Sequence, residues 1–495
     1  MITPSSFPLL SSIIFLPLLG AIAVGIVKNI DTAKKIAIVT AGLELILTLL
    51  ILFSFNNQNG DFQLVEKQQW IPSLHAEYLL GVDGISVLFL PMTALLTLIT
   101  IVASWNNVQN LTRLHFALLL LLESVTLGVF TALDMLLFFL FWEATLPPIF
   151  FLIGLWGIGA QRRAAALKYT LYMLCGGVPL LFAIILLAIN HAEHSGLGLA
   201  FSFPLLLKTA IPHDLQTLIF LLLVLGFAVK APLAPFHTWL PTVAMEAPTQ
   251  LTALLTGLKL GAFGLLRFAF PLAPNAAHQY GWIVALLGAI TLVYAALIAL
   301  QQTNLRQLLA YLSISHVGLV IVGIASLNTL AVQGAVFQLL NFSIIASCLM
   351  LIAGFIQQRL GSTELVHLGG LAKVVPRLTV FFFLFSLASI GMPLSSGFPA
   401  ELLLIIGALK HHFGLGLSGL AGAVLGAAAI LIFMRRAFWG NVVHEPIQAM
   451  HDLRQRELWV LSLPILFVIL FGLCPSLILN ITENSVQAWL FRLAY

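Results

Sequence analysis

Apolar residues arrive in long blocks along this chain, and polar residues are largely confined to the stretches between them. Fourteen such blocks run near 8–27, 36–55, 83–104, 114–133, 135–157, 166–190, 215–235, 250–272, 280–300, 308–325, 329–357, 378–408, 414–434 and 457–479. A helix needs about 20 apolar residues to cross about 30 Å of hydrocarbon, and the blocks have about that length. Most are apolar all round rather than along one stripe, as expected of helices set among lipid and one another. The pattern predicts an all-α polytopic membrane protein with about 14 transmembrane helices. The opening MITPSSFPLLSSIIF lacks a basic residue, so the first block reads as a retained span rather than a cleaved signal.

Two blocks are interrupted. The seventh contains KAPLAPFHTWLP (230–241), with Pro232 and Pro235 close behind Lys230. The twelfth contains GMPLSSGFPAEL (391–402), with Pro393, Gly397 and Pro399. Proline removes a backbone donor and clashes with the preceding turn, so helices 7 and 12 are expected to be discontinuous. They stand five spans apart and therefore run in opposite directions. Paired broken helices in inverted repeats mark transport sites, where freed backbone groups face water or protein. Simple kinks are the alternative.

Composition agrees. The chain has 495 residues, 60% hydrophobic and 8% charged, and its mean hydropathy is +1.07. The net charge of +4 is scattered, with no run to suit nucleic acid. Cys175, Cys348 and Cys474 lie far apart in apolar blocks and read as small buried hydrophobes, not as a metal or cluster ligand set. With alternating spans, 15 of the 22 Lys and Arg fall on one side, Arg306 among them. Five fall on the other, Arg267 among them, and Lys230 and Lys259 lie inside. That bias fits the positive-inside rule and sets both termini away from the cytoplasm. The longest connection, 56–82, is net acidic and reads as a lid on the far side.

Five ionisable residues fall near span centres: Glu143, Lys230, Lys259, His316 and Glu401. A charge at a helix centre costs about 2.5–3.5 kcal/mol on insertion scales, so each needs a reason. Snorkelling or a structural ion pair is the bland reading. The functional reading is proton chemistry. Burial favours an uncharged lysine and a nearby carboxylate favours a charged one, so a Glu–Lys pair that opens and closes would switch the lysine. Histidine titrates near neutrality unaided. On this reading Lys230 is the titrating group, and the prolines open the helix to water. Glu44 and Glu123 also lie in apolar blocks, and there structural and functional readings stand level.

The order of motifs carries a resemblance. FLFWEATLPPIFFLIGLWG (139–157), VKAPLAPFHTWLP (229–241), EAPT (246–249), GAFGLLRF (261–268), NLRQLLAYLSISHVG (304–318), GGLA (369–372) and PLSSGFPAEL (393–402) follow one another, with GVDGIS (81–86) ahead of them. From about residue 80 onward the chain resembles the antiporter-like, proton-pumping membrane subunits of respiratory complex I and its photosynthetic relative. Glu401 points to the M-type branch, chain 4 of NAD(P)H-quinone oxidoreductase, NdhD-like in cyanobacteria and plastids. The resemblance implies fourteen helices with two inverted five-helix repeats. These would be 113–272 and 273–440, preceded by helices 1–3 in 1–112 and followed by helix 14 in 441–495. It also implies roles: Glu143 tunes Lys230, Lys259 is the central lysine, His316 follows, and Glu401 sits on the exit side.

Three departures stand out. Thr242, Val243 and Ala244 replace the family's usual Asp-Ala-His, Phe342 stands where a histidine is common, and the chain is two residues shorter ahead of Lys259. A divergent copy in a complex specialised for CO2 uptake would account for them. The expected function is proton translocation within a type I NAD(P)H or ferredoxin:quinone oxidoreductase, with no cofactor or metal on this chain. The expected partners are other membrane subunits, the lipid bilayer and a CO2-hydration module, but no nucleic acid. The expected location is the thylakoid membrane, with a bacterial inner membrane as the alternative. A subunit of a multi-subunit cation/proton antiporter and a structural scaffold are the competing functions.

Overall fold

The computed structural model of the chain describes residues 8–196, 198–442 and 444–494. Residues 1–7, at the start of the expected retained span, lie outside them. Among the described residues, twelve helices are long and apolar enough to cross a membrane. Two shorter apolar helices, Phe89–Ser104 and Pro376–Ser389, fall in the third and twelfth blocks.

Burial sorts the helices into a core and a rim. Leu305–Ala325 and Thr329–Leu360 are 94% and 100% buried over their apolar windows, whereas Ile30–Ser54 and Gln455–Leu473 reach only 33% and 28%. The exposed rim side chains are mostly Leu, Ile, Val and Phe, with Trp282, Tyr294 and Trp459 among them, as suits a face meeting lipid. Around the core, Pro274–Leu300 packs on Leu305–Ala325 and on Phe413–Phe438. Thr329–Leu360 packs on Thr249–Gly257 and Gly397–His411.

Both expected interruptions are present. Helix His213–Lys230 stops and resumes as Trp239–Glu246; Pro376–Ser389 stops and resumes as Gly397–His411. The freed backbone groups find specific partners. Pro232 has no N–H for the Ala228 carbonyl, and the Leu233 amide takes that carbonyl at 3.1 Å. Val229 is thereby left without its helical donor, and the Trp239 indole donates to its carbonyl at 2.9 Å. The Ala234 amide donates to Thr291 Oγ1 at 3.0 Å. In the other break, Gly391 and Leu394 adopt φ of +67° and +75°. There the Ser396 amide donates to the Val468 carbonyl of a neighbouring helix at 2.9 Å.

Two further interruptions went unforeseen. The fifth block divides into Met135–Ala144 and Leu146–Trp156, where Pro147 and Pro148 lack donors. The eighth block stops at Gly257 and resumes at Leu260, leaving Lys259 between the halves, and then carries a π turn at Leu265–Ala269. Trp489 donates its indole N–H to the Leu266 carbonyl in that turn at 2.7 Å.

Several expectations need correction. The all-α class holds, but the connection read as a lid is a small sheet: strands β1 (Gln63–Ile71) and β2 (Ala76–Val82) form an antiparallel hairpin with Glu66 opposite Leu80. It occupies the acidic connection, and Glu66 accepts the Leu10 amide at 2.7 Å, capping the first helix. The last residues form an additional helix, Ser476–Ala494. Cys348 is buried, but Cys175 and Cys474 are exposed, because an apolar block does not say which face meets lipid. Arg267 is not a loop charge: it is 4% exposed and forms a two-pronged pair with Asp83 of GVDGIS at 2.5 and 2.6 Å. Arg306 is also buried, with Nη2 donating to the Ala247 carbonyl at 2.6 Å.

Candidate functional site

Lys230 ends its helix at the first break, and the kinked fifth segment supplies its ligands. Nζ donates to the Trp142 carbonyl at 3.1 Å and to Thr145 Oγ1 at 2.9 Å. It also lies 3.9 Å from the centre of the Trp142 ring, a cation–π contact. The break is built beside the amine: Pro147 and Pro148 withhold helical donors from the Glu143 and Ala144 carbonyls, and the Thr145 hydroxyl donates to the Trp142 carbonyl at 2.8 Å.

Glu143 is near enough to Lys230 for a coulombic interaction, yet no ion pair within 4.0 Å joins them among the described residues. Its carboxylate lies against Gly177, where a side chain would collide with Oε1, and Oε1 has no hydrogen-bond partner. A shallow lipid-side hollow lined by Glu143, Pro147, Phe151 and Thr170 opens beside it. The expected pair is thus present as neighbours in an open arrangement.

Lys259 sits in the gap of the eighth segment and donates to Ser313 Oγ at 2.5 Å. A cavity of about 40 Å³ has both Lys230 and Lys259 in its wall, with Thr126, Thr145 and Tyr169. That is room for water between two lysines that lie 29 positions apart in sequence. Gly261 makes the meeting geometrically attainable. It lies against the Ala231 backbone so closely that a Cβ there would overlap it.

At the second break the polar groups are knit together. His316 Nδ1 is 3.6 Å from Glu401 Oε1. The Gln338 amide nitrogen donates to both, at 3.0 and 3.2 Å. An amide nitrogen only donates, so Nδ1 accepts and neutral His316 carries its proton on Nε2. Asn341 donates to Gln338 Oε1 at 3.1 Å, and Ser396 of the break donates to Asn341 Oδ1 at 2.5 Å. His316 and Glu401 share a small second cavity of about 10 Å³ with Ser315 and Ser389.

Between the two groups stands Phe342. Its ring stacks on His316 with centres 3.7 Å apart, and Lys259 Nζ lies 5.5 Å from its centre. The structure therefore joins Lys230 to Lys259 through a cavity and His316 to Glu401 through an amide, and inserts an apolar ring between the halves. The sequence reading did not name Trp142, Thr145, Ser313, Gln338, Asn341 or Ser396 as site residues. Spacing offered a signal: Ser313 precedes His316 by three positions, and Gln338 and Asn341 are three apart on a mostly apolar helix.

The comparisons with known proteins agree with this architecture. The family described as NADH:quinone oxidoreductase/Mrp antiporter, transmembrane, matches residues 132–426. NADH-quinone oxidoreductase subunit M of Rickettsia conorii is 36% identical, over 98% of this chain and 99% of that one. NADH-ubiquinone oxidoreductase chain 4 of Arabidopsis thaliana is 31% identical, over 97% and 96%. A chain of respiratory complex I from Thermus thermophilus superposes with a TM-score of 0.89 at 28% identity, covering 98% of this chain and 99% of that one. A chain of the Mrp complex from a Dietzia species shares the fold alone, with a TM-score of 0.83 at 21% identity, over 97% of this chain and 52% of that one. Broken helices, buried lysines and sequence likeness converge: this chain belongs to the NADH:quinone oxidoreductase/Mrp antiporter family of membrane proteins.

Proposed function

We propose that this chain is the M-type, antiporter-like subunit of a complex I-like assembly and moves protons across the membrane through Glu143, Lys230, Lys259, His316 and Glu401. The observation that carries the reading is the cavity shared by Lys230 and Lys259 between interrupted helices. Lys230 keeps its proton while Glu143 is ionised beside it. When Glu143 withdraws or is neutralised, only neutral oxygens and the Trp142 face hold the ammonium, and the proton passes to water and Lys259. Ser313 passes it on toward His316, around the Phe342 ring, and Glu401 receives it at the second break. The chain carries no redox centre on this reading; energy arrives from electron transfer in partner subunits.

Residues 113–272 and 273–440 act as two inverted five-helix units, with 1–112 and 441–495 as flanks. The corresponding breaks at 231–238 and 390–396 support that division. The bacterial subunit M and plant chain 4 relatives favour a respiratory quinone reductase in a bacterial inner membrane. The narrower NdhD-like version, in a thylakoid complex with plastoquinone, ferredoxin and a CO2-hydration module, draws support only from the departures at Thr242, Ala244 and Phe342.

The test is proton translocation by the assembled complex carrying Lys230→Ala, together with identification of the subunits retained after mild detergent extraction. The reading expects quinone-reductase partners and lost pumping. Unchanged pumping would make the chain a scaffold, and small antiporter subunits as partners would make it part of a cation/proton antiporter.

A further inference from the structure

Outside this path, two carboxyl groups are buried without any partner. Glu44 lies on Ile30–Ser54 and is 0% exposed; Glu123 lies on Thr112–Thr131 and is 1% exposed. None of their four oxygens has a hydrogen-bond donor. The two helices pack on each other, and the carboxyl groups are within coulombic range of one another. Thr97 Oγ1, on the helix Phe89–Ser104 packed against both, is likewise without a partner.

Among the described residues no Lys, Arg or His forms an ion pair with either carboxyl group. Leu9–Ile26 and Phe89–Ser104, which pack against both helices, contain no Asp, Glu, Lys, Arg or His. The other elements packed on Thr112–Thr131 bring only Glu143 and Glu77, from Met135–Ala144 and β2; Leu146–Trp156 brings none. On the two helices themselves, Asp31, Lys34, Lys35, Arg113 and His115 sit toward one end. The nearest of them, Lys35 and His115, are nine and eight residues away, or about 13 and 12 Å along the axis. Two carboxylates side by side in a dry interior cannot both stay ionised, and with neither donors nor cations the remaining neutraliser is a proton.

Glu123 is also one turn from the lysine cavity. Leu122 and Thr126 of the same helix line it; the Thr126 hydroxyl donates to the Leu122 carbonyl at 2.7 Å and relays a proton only by turning from it. We propose that Glu44 and Glu123 form a proton-binding site, a carboxyl pair that carries at least one proton and exchanges it with the cavity shared by Lys230 and Lys259. The exchange half rests on the proton-translocation reading; the protonated pair does not. In the exchange, the carboxyl O–H bond breaks, water in the cavity takes the proton, and the pair regains one later; no electron moves.

Infrared difference spectroscopy on the full chain in its native membrane complex tests both halves. The pair's absorption as protonated carboxylic acid should fall or shift in Glu44→Gln and in Glu123→Gln at neutral pH, should be lost when both are changed to Gln, and should shift but persist in Glu44→Asp and Glu123→Asp, which guards against loss of folding. In the parent, the same band should change during quinone-driven turnover. A band unaltered by both Gln variants overturns the protonated pair. A band that is present yet silent in turnover overturns the exchange. Full pumping by Lys230→Ala would sink the translocation reading while leaving the resting band in place, so the two failures are separable.

Discussion

The two broken helices use one backbone device for opposite charges. At the first break a lysine is held by a carbonyl, a hydroxyl and an aromatic face, while its carboxylate neighbour stands apart beside a lipid-side hollow. At the second, a carboxylate touches histidine and is bridged to it by an amide whose own oxygen is satisfied in turn. The break supplies room and orientation in both cases. The surroundings differ: acceptors and an aromatic face stand around the Lys230 amine, whereas Glu401 meets one side-chain donor, the Gln338 amide, which also holds His316 Nδ1. The first site is loosely held and poised to change partners; the second is wrapped in a network that resists change.

The contrast can be broken or sharpened by substitution. The largest effect is expected from Lys230→Ala, which should lower proton translocation about tenfold or more, equal to about 1.4 kcal/mol on the transfer barrier. A pH-sensitive dye in reconstituted vesicles reads this; a rate at the parent level would strip the first break of its role. Thr145→Val takes one oxygen from the ammonium and should cost about 1.5–3 kcal/mol of stability, with Thr145→Ser restoring most of it in denaturation in detergent. Gln338→Leu removes the bridge at the second break and should cost about 1–3 kcal/mol, because Glu401 then lacks its side-chain donor. The smallest effect belongs to Phe342→Leu, about 0.5–1.5 kcal/mol from lost stacking on His316. Phe342→His replaces the apolar spacer with a titratable ring, and faster translocation in that variant would identify Phe342 as the point where the two sites are held apart.

Much of this was legible in the sequence. Apolar blocks gave the helices, and prolines with glycine located the interruptions after Lys230 and before Glu401, since both act through local backbone chemistry. The break at Lys259 was not legible, because Gly257 and Gly261 are individually unremarkable in a membrane helix. Their meaning lies in what they touch: Ser347 from the central helix and the Ala231 backbone. The β hairpin hid in a polar connection for a similar reason, being tied down by Glu66 to a distant helix start. The charges at Arg267 and Glu123 could be seen, but only the packing shows that one has a partner in Asp83 and the other has none.

The central helix Thr329–Leu360 has 32 residues, so it is about 48 Å long, against about 30 Å of hydrocarbon. A rod of that length either leans steeply or stands proud of the oil. Its C-terminal end carries Arg359, whose guanidinium grips Glu457 and the His451 carbonyl of the segment leading into the last apolar helix. That end of the helix is thus held by a polar clasp. A thinner or thicker bilayer would act on that clasp first, giving membrane thickness a mechanical handle on the helix that bears Gln338, Asn341 and Phe342.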